Sequence, residues 1–450
     1  MNQIACNNQA TYRWQKNLLL LLLVAMFLLL ARIGARHYFR ETAVEPGTFT
    51  VMIGRVFALW ALALMLLQPL LAMRFRIFDR MFGLDRLLRM HRVAGIVSLT
   101  LAFLHPMLIY VSGLKRAGPL NAGQWPEALG GIGLAGLWLL IVPSCWRQFL
   151  ELKYDSWLQL HRYAGPVAFL ALVHMFAIES AMRKGWLAAF WLATLLLWAG
   201  TLIAQKKLWS GRGTASEAFV VAAADVAAES IWRIELKPAG ETKVFKFIPG
   251  QFAFISFENE RPGPEEHPFT IASAPAGADG LQFLIKTSGD WTSQLASVRV
   301  GDQARVSGPF GVFSPWRHDV SRLILIAGGI GITPMLSVLR QLREEKSQLP
   351  VKLVWTFQNR AGAPCLDEIT GLRQALPGFE FVAVATRESS VDVDAHRRLD
   401  KQVLTKIMPQ YQPGTMVMVC GPAQMMLAIR RDLLAMGYPP RAILSEEFAF

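Results

Sequence analysis

Acidic residues are scarce in the first half of this 450-residue chain: residues 1–210 hold 8 Asp+Glu against 21 Lys+Arg, whereas residues 211–450 hold 25 of each. The formal net charge of +13 therefore lies entirely in the first half, where the long apolar runs also are. Cysteine is equally sparse. Cys6, Cys145, Cys365 and Cys420 are far apart, with no C-x-x-C pair and no secreted-domain spacing, which argues against a disulfide framework or a zinc site. A hydrophobic content of 53% excludes a disordered or low-complexity chain. A basic half made of apolar runs with Lys and Arg between them points to the lipid bilayer as partner and away from nucleic acid. The length allows two or three domains.

About 20 mostly apolar residues cross a bilayer as a helix. Six stretches meet that requirement, near 17–35, 48–73, 91–114, 128–146, 157–180 and 185–205. The first has a signal peptide as its alternative, but its apolar run is long, no small-x-small cleavage site follows it, and five more spans come after. With the N-terminus in the cytoplasm, 13 basic residues fall inside and 8 fall outside or near the outer edge. Six spans return the chain to the cytoplasm. The expectation is a multi-pass protein of the plasma (inner) membrane, with its N-terminus and residues 211–450 cytoplasmic.

The second half opens with short β-like runs, AFVVAAADV, WRIELKP, FAFISF, PFTIAS and LQFLIKT, separated by Gly, Pro and charged turns. Beyond about residue 320 strands alternate with helices: strands at 323–327, 352–357, 381–386 and 416–420, helices at 334–345, 366–376 and 401–408. Such alternation implies a parallel, Rossmann-like sheet. The predicted plan is a six-helix transmembrane bundle over 1–210, an antiparallel β-barrel over 211–318 and an α/β domain over 319–450.

Four of the 8 histidines lie in two predicted spans, His91 and His105 in the third, His161 and His174 in the fifth. An ionisable residue inside a bilayer is costly and points to function, and neutral imidazole is a good axial ligand for haem iron. At ~1.5 Å per residue the two separations rise ~21 and ~20 Å, so the spans present His at matching depths. Two b-type haems stacked across the bilayer, each with one His from each span, fit that placement. The alternative is isolated His hydrogen-bonded between helices. At ~100° per residue, His91 and His105 share a face but His161 and His174 miss by ~140°; a kink at Gly165-Pro166 would supply the change of phase. Arg92 and Arg162, each directly after a His, are candidate partners for haem propionates, as is Arg55 in the second span. Snorkelling to the interface is the alternative for each.

Further motifs lie beyond residue 260. His267-Pro268-Phe269-Thr270 with Ser273 offers backbone and hydroxyl donors for a flavin's ring edge and pyrophosphate. Lys286 and Gly289-Asp290-Trp291-Thr292 follow, the turn from Gly289 to Thr292 suiting close approach of phosphate, and Gly308-Pro309-Phe310-Gly311 closes the barrel region. Plain turn chemistry is the competing reading of each. Ala327-Gly328-Gly329-Ile330-Gly331-Ile332-Thr333-Pro334 leaves a strand and opens a helix, with glycines that let backbone N–H groups reach a pyrophosphate at the helix N-terminus. It is not G-x-G-x-x-G, which disfavours an ordinary Rossmann dehydrogenase. Cys420-Gly421-Pro422 ends what reads as the last parallel strand, where ligands bind in such sheets. The chain closes on Glu446-Glu447-Phe448-Ala449-Phe450, a tail suited to covering a flavin ring or to packing in the core.

In this order HPFT-x-x-S, GDWT, GPFG, AGGIGITP, CGP and a terminal E-x-F resemble the NADPH oxidase and ferric reductase flavocytochromes, whose haem-binding helices carry similarly spaced His pairs. The resemblance runs over roughly residues 50–450. It implies that His91 and His161 hold an inner haem and His105 and His174 an outer one. It also implies that His267, Pro268, Phe269, Thr270, Ser273 and Thr292 contact FAD, and that Gly329, Gly331, Thr333, Pro334 and Cys420 contact the nicotinamide nucleotide. Phe448 would shield the flavin and move aside for hydride transfer. The chain departs from the animal oxidases at Ile109, where they carry a second His of the oxygen site, although Arg55 matches that site's arginine. Long extracellular loops, EF-hands and a fused globin are absent. Arg387 or Arg360 would pair with a 2′-phosphate, favouring NADPH, with NADH still possible; surface arginine is the alternative.

The resulting expectation is transmembrane electron transfer from cytosolic NADPH through FAD and two haems to a small acceptor, oxygen or ferric iron. Two other classes stand beside it. One is a membrane-tethered flavin reductase serving a protein or quinone acceptor; the other is a transporter or sensor using its His as a proton relay.

Overall fold

In the computed structural model of the chain, the described residues are 3–35, 47–72, 74, 76–112, 125–147, 149–152, 154–178, parts of 192–203, 216–240, 243–276, 279–387 and 399–446. Phe448 and most of the sixth predicted span lie outside them. The chain divides into two compact units, one mainly Trp14–Phe75 with Arg86–Lys207, the other mainly Arg76–Asp85 with Leu208–Phe450.

The first unit is helical: α1 (Gln3–Ala35), α2 (Thr48–Ala72), α4 (Leu84–Val111), α5 (Trp125–Cys145), α6 (Tyr154–His161) and α7 (Ala164–Ile178). Among the described residues three of these, α2, α4 and α5, are long and apolar enough to cross a membrane, and Asn17–Ile33 of α1 is a shorter apolar helix. Leu59, Leu62 and Leu66 of α2 pack with Leu137 and Leu140 of α5 and Val167 and Leu172 of α7. Large apolar side chains also stay exposed, among them Leu28, Ile132 and Leu139. Helices that are apolar all round suit a lipid surround, where lipid takes the place of a second protein layer.

The fifth predicted span is not one helix. It breaks at Arg162-Tyr163, between α6 and α7, and Pro166 occupies the first turn of α7. A proline ring collides with the carbonyl four residues earlier, here Arg162, and proline is tolerated in a helix's first turn, so the chain ends one helix and starts another.

The second unit contains two sheets. Strands β1 (Ser216–Ala228), β2 (Ile231–Pro238), β3 (Phe252–Phe257), β4 (His267–Thr270), β5 (Leu281–Lys286) and β6 (Gln303–Phe310) form a curled antiparallel sheet in the order β4-β3-β6-β1-β2-β5. Its two edges meet through a single bridge between Ile271 and Phe283. Strands β7 (Arg322–Gly328), β8 (Val351–Phe357), β9 (Phe379–Ala385), β10 (Thr415–Cys420) and β11 (Ile443–Ser445) form a parallel sheet in the order β11-β10-β7-β8-β9. Helices α8 (Ile332–Glu344), α9 (Leu366–Ala375), α10 (Lys401–Ile407) and α11 (Ala423–Ala435) connect its strands. β3, β10 and most of β7 are buried on both faces, which is why they read as continuous apolar runs. The sequence reading missed α11 and β11, so Cys420 ends the penultimate parallel strand and not the last. The two sheets share one apolar cluster that joins Ile231, Ala272 and Leu284 to Leu336, Leu339 and Trp355.

The second unit also takes in α3 (Arg76–Phe82), a short helix in the linker between α2 and α4 that the sequence reading did not anticipate. Asp79, 1% exposed, accepts the N–H of Gly311 (3.0 Å) and of Leu84 (2.9 Å). Arg76 donates to the Gly308 carbonyl (2.7 Å) and Arg317 to the Arg80 carbonyl (2.7 Å). Burial raises the Asp79 pKa from 3.8 to about 6, with the two N–H bonds and Arg317 opposing it. A carboxyl whose folded pKa lies above its unfolded value favours the folded state through its proton. That contribution is complete below the unfolded pKa and lost as pH rises through about 6. At ~1.4 kcal/mol per pKa unit the effect is on the order of 2–3 kcal/mol. Amide exchange at Gly311, corrected for its intrinsic pH dependence, is expected to lose protection between about pH 4 and 6, and Asp79→Asn to remove that step. Persistence of the step in Asp79→Asn would assign it to another group.

Candidate functional site

In the helical unit His91 and His105 lie on α4, His161 ends α6, and His174 lies on α7. The ring centres of His91 and His161 are 5.9 Å apart, and those of His105 and His174 are 6.5 Å apart. A metal bound ~2 Å from one nitrogen of each ring would separate the centres by ~6 Å, so each pair has room for one iron. Among the described residues no three His, Cys, Asp or Glu converge on a metal site. Haem iron takes up to two axial ligands from protein, so each pair would fit that group.

The surroundings orient the rings. Nδ1 of His105 faces the Gly54 carbonyl at 2.9 Å, and Nδ1 of His174 faces the Pro126 carbonyl at 2.6 Å. A carbonyl only accepts, so the proton belongs on Nδ1 and the Nε2 lone pair is left for a metal. His91 places Nδ1 3.3 Å from the Gln68 carbonyl. His161 instead stacks on Trp157, with centroids 5.2 Å apart and planes at 25°, and Trp157 Nε1 donates to Ser144 Oγ at 2.8 Å. Arg55 is half-buried beside Gly54, while Arg92 and Arg162 are exposed. Sequence reasoning missed Gly54, Pro126 and Trp157. Backbone carbonyls carry no residue-type signal, but Trp157, one turn before His161, could have been found by its i, i+4 spacing.

In the second unit the three flavin-type motifs converge on β3, which pairs with β4 on one side and β6 on the other. Trp291 of the GDWT turn is buried and lies over His267 (4.5 Å between centroids), Phe269 (5.7 Å) and Phe257 (5.8 Å). Phe310 of GPFG packs on Phe252 (6.0 Å) and Phe254 (5.4 Å), the strand partners of Thr270 and Pro268. Thr292 Oγ1 accepts from Gly289 and Ser288 N–H (both 2.9 Å), closing its own turn. Ser273 Oγ accepts from Gln282 N–H at 3.2 Å. Both hydroxyls are thus engaged within the protein. Lys286 is exposed at the end of β5. The space a side chain at Gly289 would occupy is open, a cradle able to admit a phosphate.

The nucleotide-type motifs converge at the end of the parallel sheet. From β7 the chain moves outward to β8 and β9, then returns to β10 and β11 on the other side. The gap between the carboxyl ends of β7 and β10 is therefore the topological switch point, where open α/β sheets bind ligands. Gly331 sits there against the backbone of Cys420 and Gly421, so close that a Cβ would collide with the Cys420 carbonyl. Gly328 faces the side chains of Pro422 and Met425. Gly329, at φ +53°, has open space beside it, and its carbonyl is held by Trp355 Nε1 at 3.0 Å. Helix α8 begins immediately after, with Thr333 and Pro334 in its first turn, so the positive end of its dipole lies at this loop, where it favours an anion. Cys420 is fully buried; burial pushes its thiol well up and the Glu446 carboxylate adds to that, keeping the thiol neutral. Glu446, 3% exposed, is a residue the sequence reading noted only as part of the tail. Arg360 is engaged by Asp367 at 3.0 Å, whereas the exposed Arg387 follows β9 at the same end of the sheet.

Comparison with known proteins agrees with this layout. Residues 57–173 match the family described as ferric reductase like transmembrane component, residues 217–325 the FAD-binding domain family, and residues 325–431 the oxidoreductase NAD-binding domain family. The chain is 29% identical over 235 residues to the reductase component of propane 2-monooxygenase from Mycolicibacterium goodii, and 28% identical over 232 residues to reductase component 1 of terephthalate 1,2-dioxygenase from Comamonas sp.. Each match takes in 51% of this chain and 66% of the relative, so the chain spans just under two thirds of the length of these curated relatives. Among solved structures, a flavohemoglobin from Malassezia yamatoensis shares the fold at a TM-score of 0.51 and 20% identity, over 89% of this chain and 99% of that one. The three domain matches follow one another along a single chain and together match the architecture of the ferric reductase/NADPH oxidase flavocytochromes.

Proposed function

We propose that the protein carries electrons from cytosolic NADPH, with NADH as a weaker alternative, across the plasma membrane to a small acceptor on the far side, molecular oxygen or ferric iron. The observation that carries this reading is the pair of His–His gaps, 5.9 and 6.5 Å between ring centres, each sized for one iron. When bound, FAD would accept a hydride and release single electrons, and two b-type haems would supply the one-electron relay.

The roles of the chain's own residues follow. His91 and His161 would hold the inner haem and His105 and His174 the outer, with Arg92, Arg162 and Arg55 offering charge to the propionates. His267, Pro268, Phe269 and Thr270 border the flavin, and Lys286 and the Gly289–Thr292 turn lie toward its phosphates. Gly328, Gly329, Gly331, Thr333 and Pro334 would admit the nucleotide's pyrophosphate, Gly421 and Pro422 line the opposite loop, and the neutral Cys420 would contact the nicotinamide. Phe448, which lies outside the described residues, would cover the flavin until nucleotide enters. Arg387, exposed and without an ion pair among the described residues, is better placed than the Asp367-bound Arg360 to take a 2′-phosphate. The domains in this proposal are 1–210 with six spans, 211–318 as a closed barrel and 319–450, the N-terminus and reductase module being cytoplasmic.

A reduced-minus-oxidised difference spectrum of the purified protein tests the proposal. We expect b-type haem bands, at two haems per flavin; a flavin spectrum alone would overturn it. A second reading, a membrane-tethered reductase serving a protein acceptor, draws support from the named roles of the relatives as reductase components of oxygenases. Reconstituted vesicles loaded with a membrane-impermeant ferric chelate separate the two, since only transmembrane transfer reduces an acceptor sealed on the far side.

A further inference from the structure

We propose that one face of helix α8 registers the nucleotide-binding loop on the flavin-binding segment, with Arg340 as the positioning residue for hydride transfer. This inference rests on the NAD(P)H–FAD oxidoreductase activity and is independent of haem.

Helix α8 starts directly after the Gly329–Gly331 loop. Ser337, Arg340 and Gln341 stand at i, i+3 and i+4, hence on one face. All three bond the stretch that continues from the His267–Thr270 strand. Ser337 Oγ donates to the Ser273 carbonyl (2.8 Å), Arg340 Nη1 to the Ala272 carbonyl (3.0 Å), and Gln341 Oε1 accepts the Ala276 N–H (3.1 Å). The Arg340 side chain is only 13% exposed, and its fork reaches two further elements. Nη1 also donates to Gln282 Oε1 on β5 (2.6 Å), while Nε and Nη2 grip the Glu368 carboxylate on α9 (2.7 and 2.6 Å). Lysine, a single point charge, cannot span three elements in this way.

The apolar cluster shared by the two sheets supplies adhesion, but hydrophobic contact is not directional and tolerates sliding. The polar contacts of α8 are directional, and they sit on a rigid rod whose first turn is the pyrophosphate loop. A displacement at residue 340 is therefore transmitted to residues 329–333. Hydride transfer needs donor and acceptor ~3–3.5 Å apart, and ~1 Å of misplacement costs ~100-fold in rate. Nucleotide affinity, set at the loop itself, does not share that sensitivity. Loss of registration should therefore lower the limiting rate of flavin reduction while leaving binding in place.

The test uses the full-length protein in detergent. NADP⁺ binding is followed by calorimetry, anaerobic flavin bleaching by NADPH in stopped flow, and backbone amide exchange across residues 272–276. For Arg340→Met we expect NADP⁺ affinity within ~2-fold of wild type, a limiting bleaching rate at least ~10-fold lower, and faster exchange at Ala276. Arg340→Lys should recover only part of the rate. Should Arg340→Met shed its flavin, Ser337→Ala removes one hydroxyl from the same face and is expected to slow bleaching ~3-fold with unchanged NADP⁺ affinity. An unchanged limiting rate in both Arg340→Lys and Ser337→Ala overturns the proposal, as does a rate loss matched by an equal loss of affinity. Failure of the underlying activity looks different, because wild-type flavin would then not bleach with NADPH or NADH at all.

Discussion

His105→Leu is expected to lower reduction of a far-side acceptor at least ~100-fold while leaving reduction of a soluble dye by NADPH within about twofold. His105 and His174 form one of the two iron-sized gaps, and the carbonyls of Gly54 and Pro126 hold their Nδ1 protons so that both Nε2 atoms are free to ligate. Leucine fills similar volume in an apolar helix but offers no lone pair, so the helix is kept and the ligand lost. Haem content should fall from two per flavin to one, and His174→Leu should reproduce both effects. On the proposed route the dye would take its electrons before the membrane and would have no need of the outer pair. Equal collapse of dye reduction would contradict the assignment of His105 to the outer site.

Gly331→Ala is expected to cut flavin reduction by NADPH on the order of 100-fold while flavin content stays near normal. A methyl group there would run into the Cys420 carbonyl and crowd Gly421 N, all of it backbone that cannot rotate away. Either the β7 loop or the β10 loop must retreat, at a cost of ~1–3 kcal/mol. The gap between those loops is the switch point, so the displacement falls where the proposal places the nicotinamide. The flavin motifs gather around β3 and Trp291, away from the collision. Loss of flavin from Gly331→Ala would mean that the two loops help hold both cofactors.

Much of this arrangement is legible in the chain. Every strand expected over 216–286 and 322–420 is present within a few residues, because two-face burial leaves unbroken apolar runs such as FAFISF and LILIA. The side-by-side placement of His91 with His161 and of His105 with His174 follows from matched spacing along two predicted spans, although the second of them is broken into two helices. The phase error between His161 and His174 was also readable, and Pro166 marks its remedy to within a turn, although the break itself falls at Arg162-Tyr163. Short elements escaped notice. β11 has three residues and α3 seven, too few to show a period.

What the sequence determined by itself is modular: a basic, apolar half with paired histidines, then motifs in the order of a flavin and nicotinamide reductase. Local pattern suffices for that, since apolar runs, glycine turns and helix starts are properties of neighbouring residues. Only the tertiary structure decided which distant groups meet. It set Trp291 over His267, Gly331 against Cys420, Arg340 between Ala272 and Glu368, and Asp79 on Gly311, 232 positions further along the chain. Such contacts depend on carbonyls, amide N–H groups and shared burial, which every residue possesses, so no residue type announces them before the chain has folded.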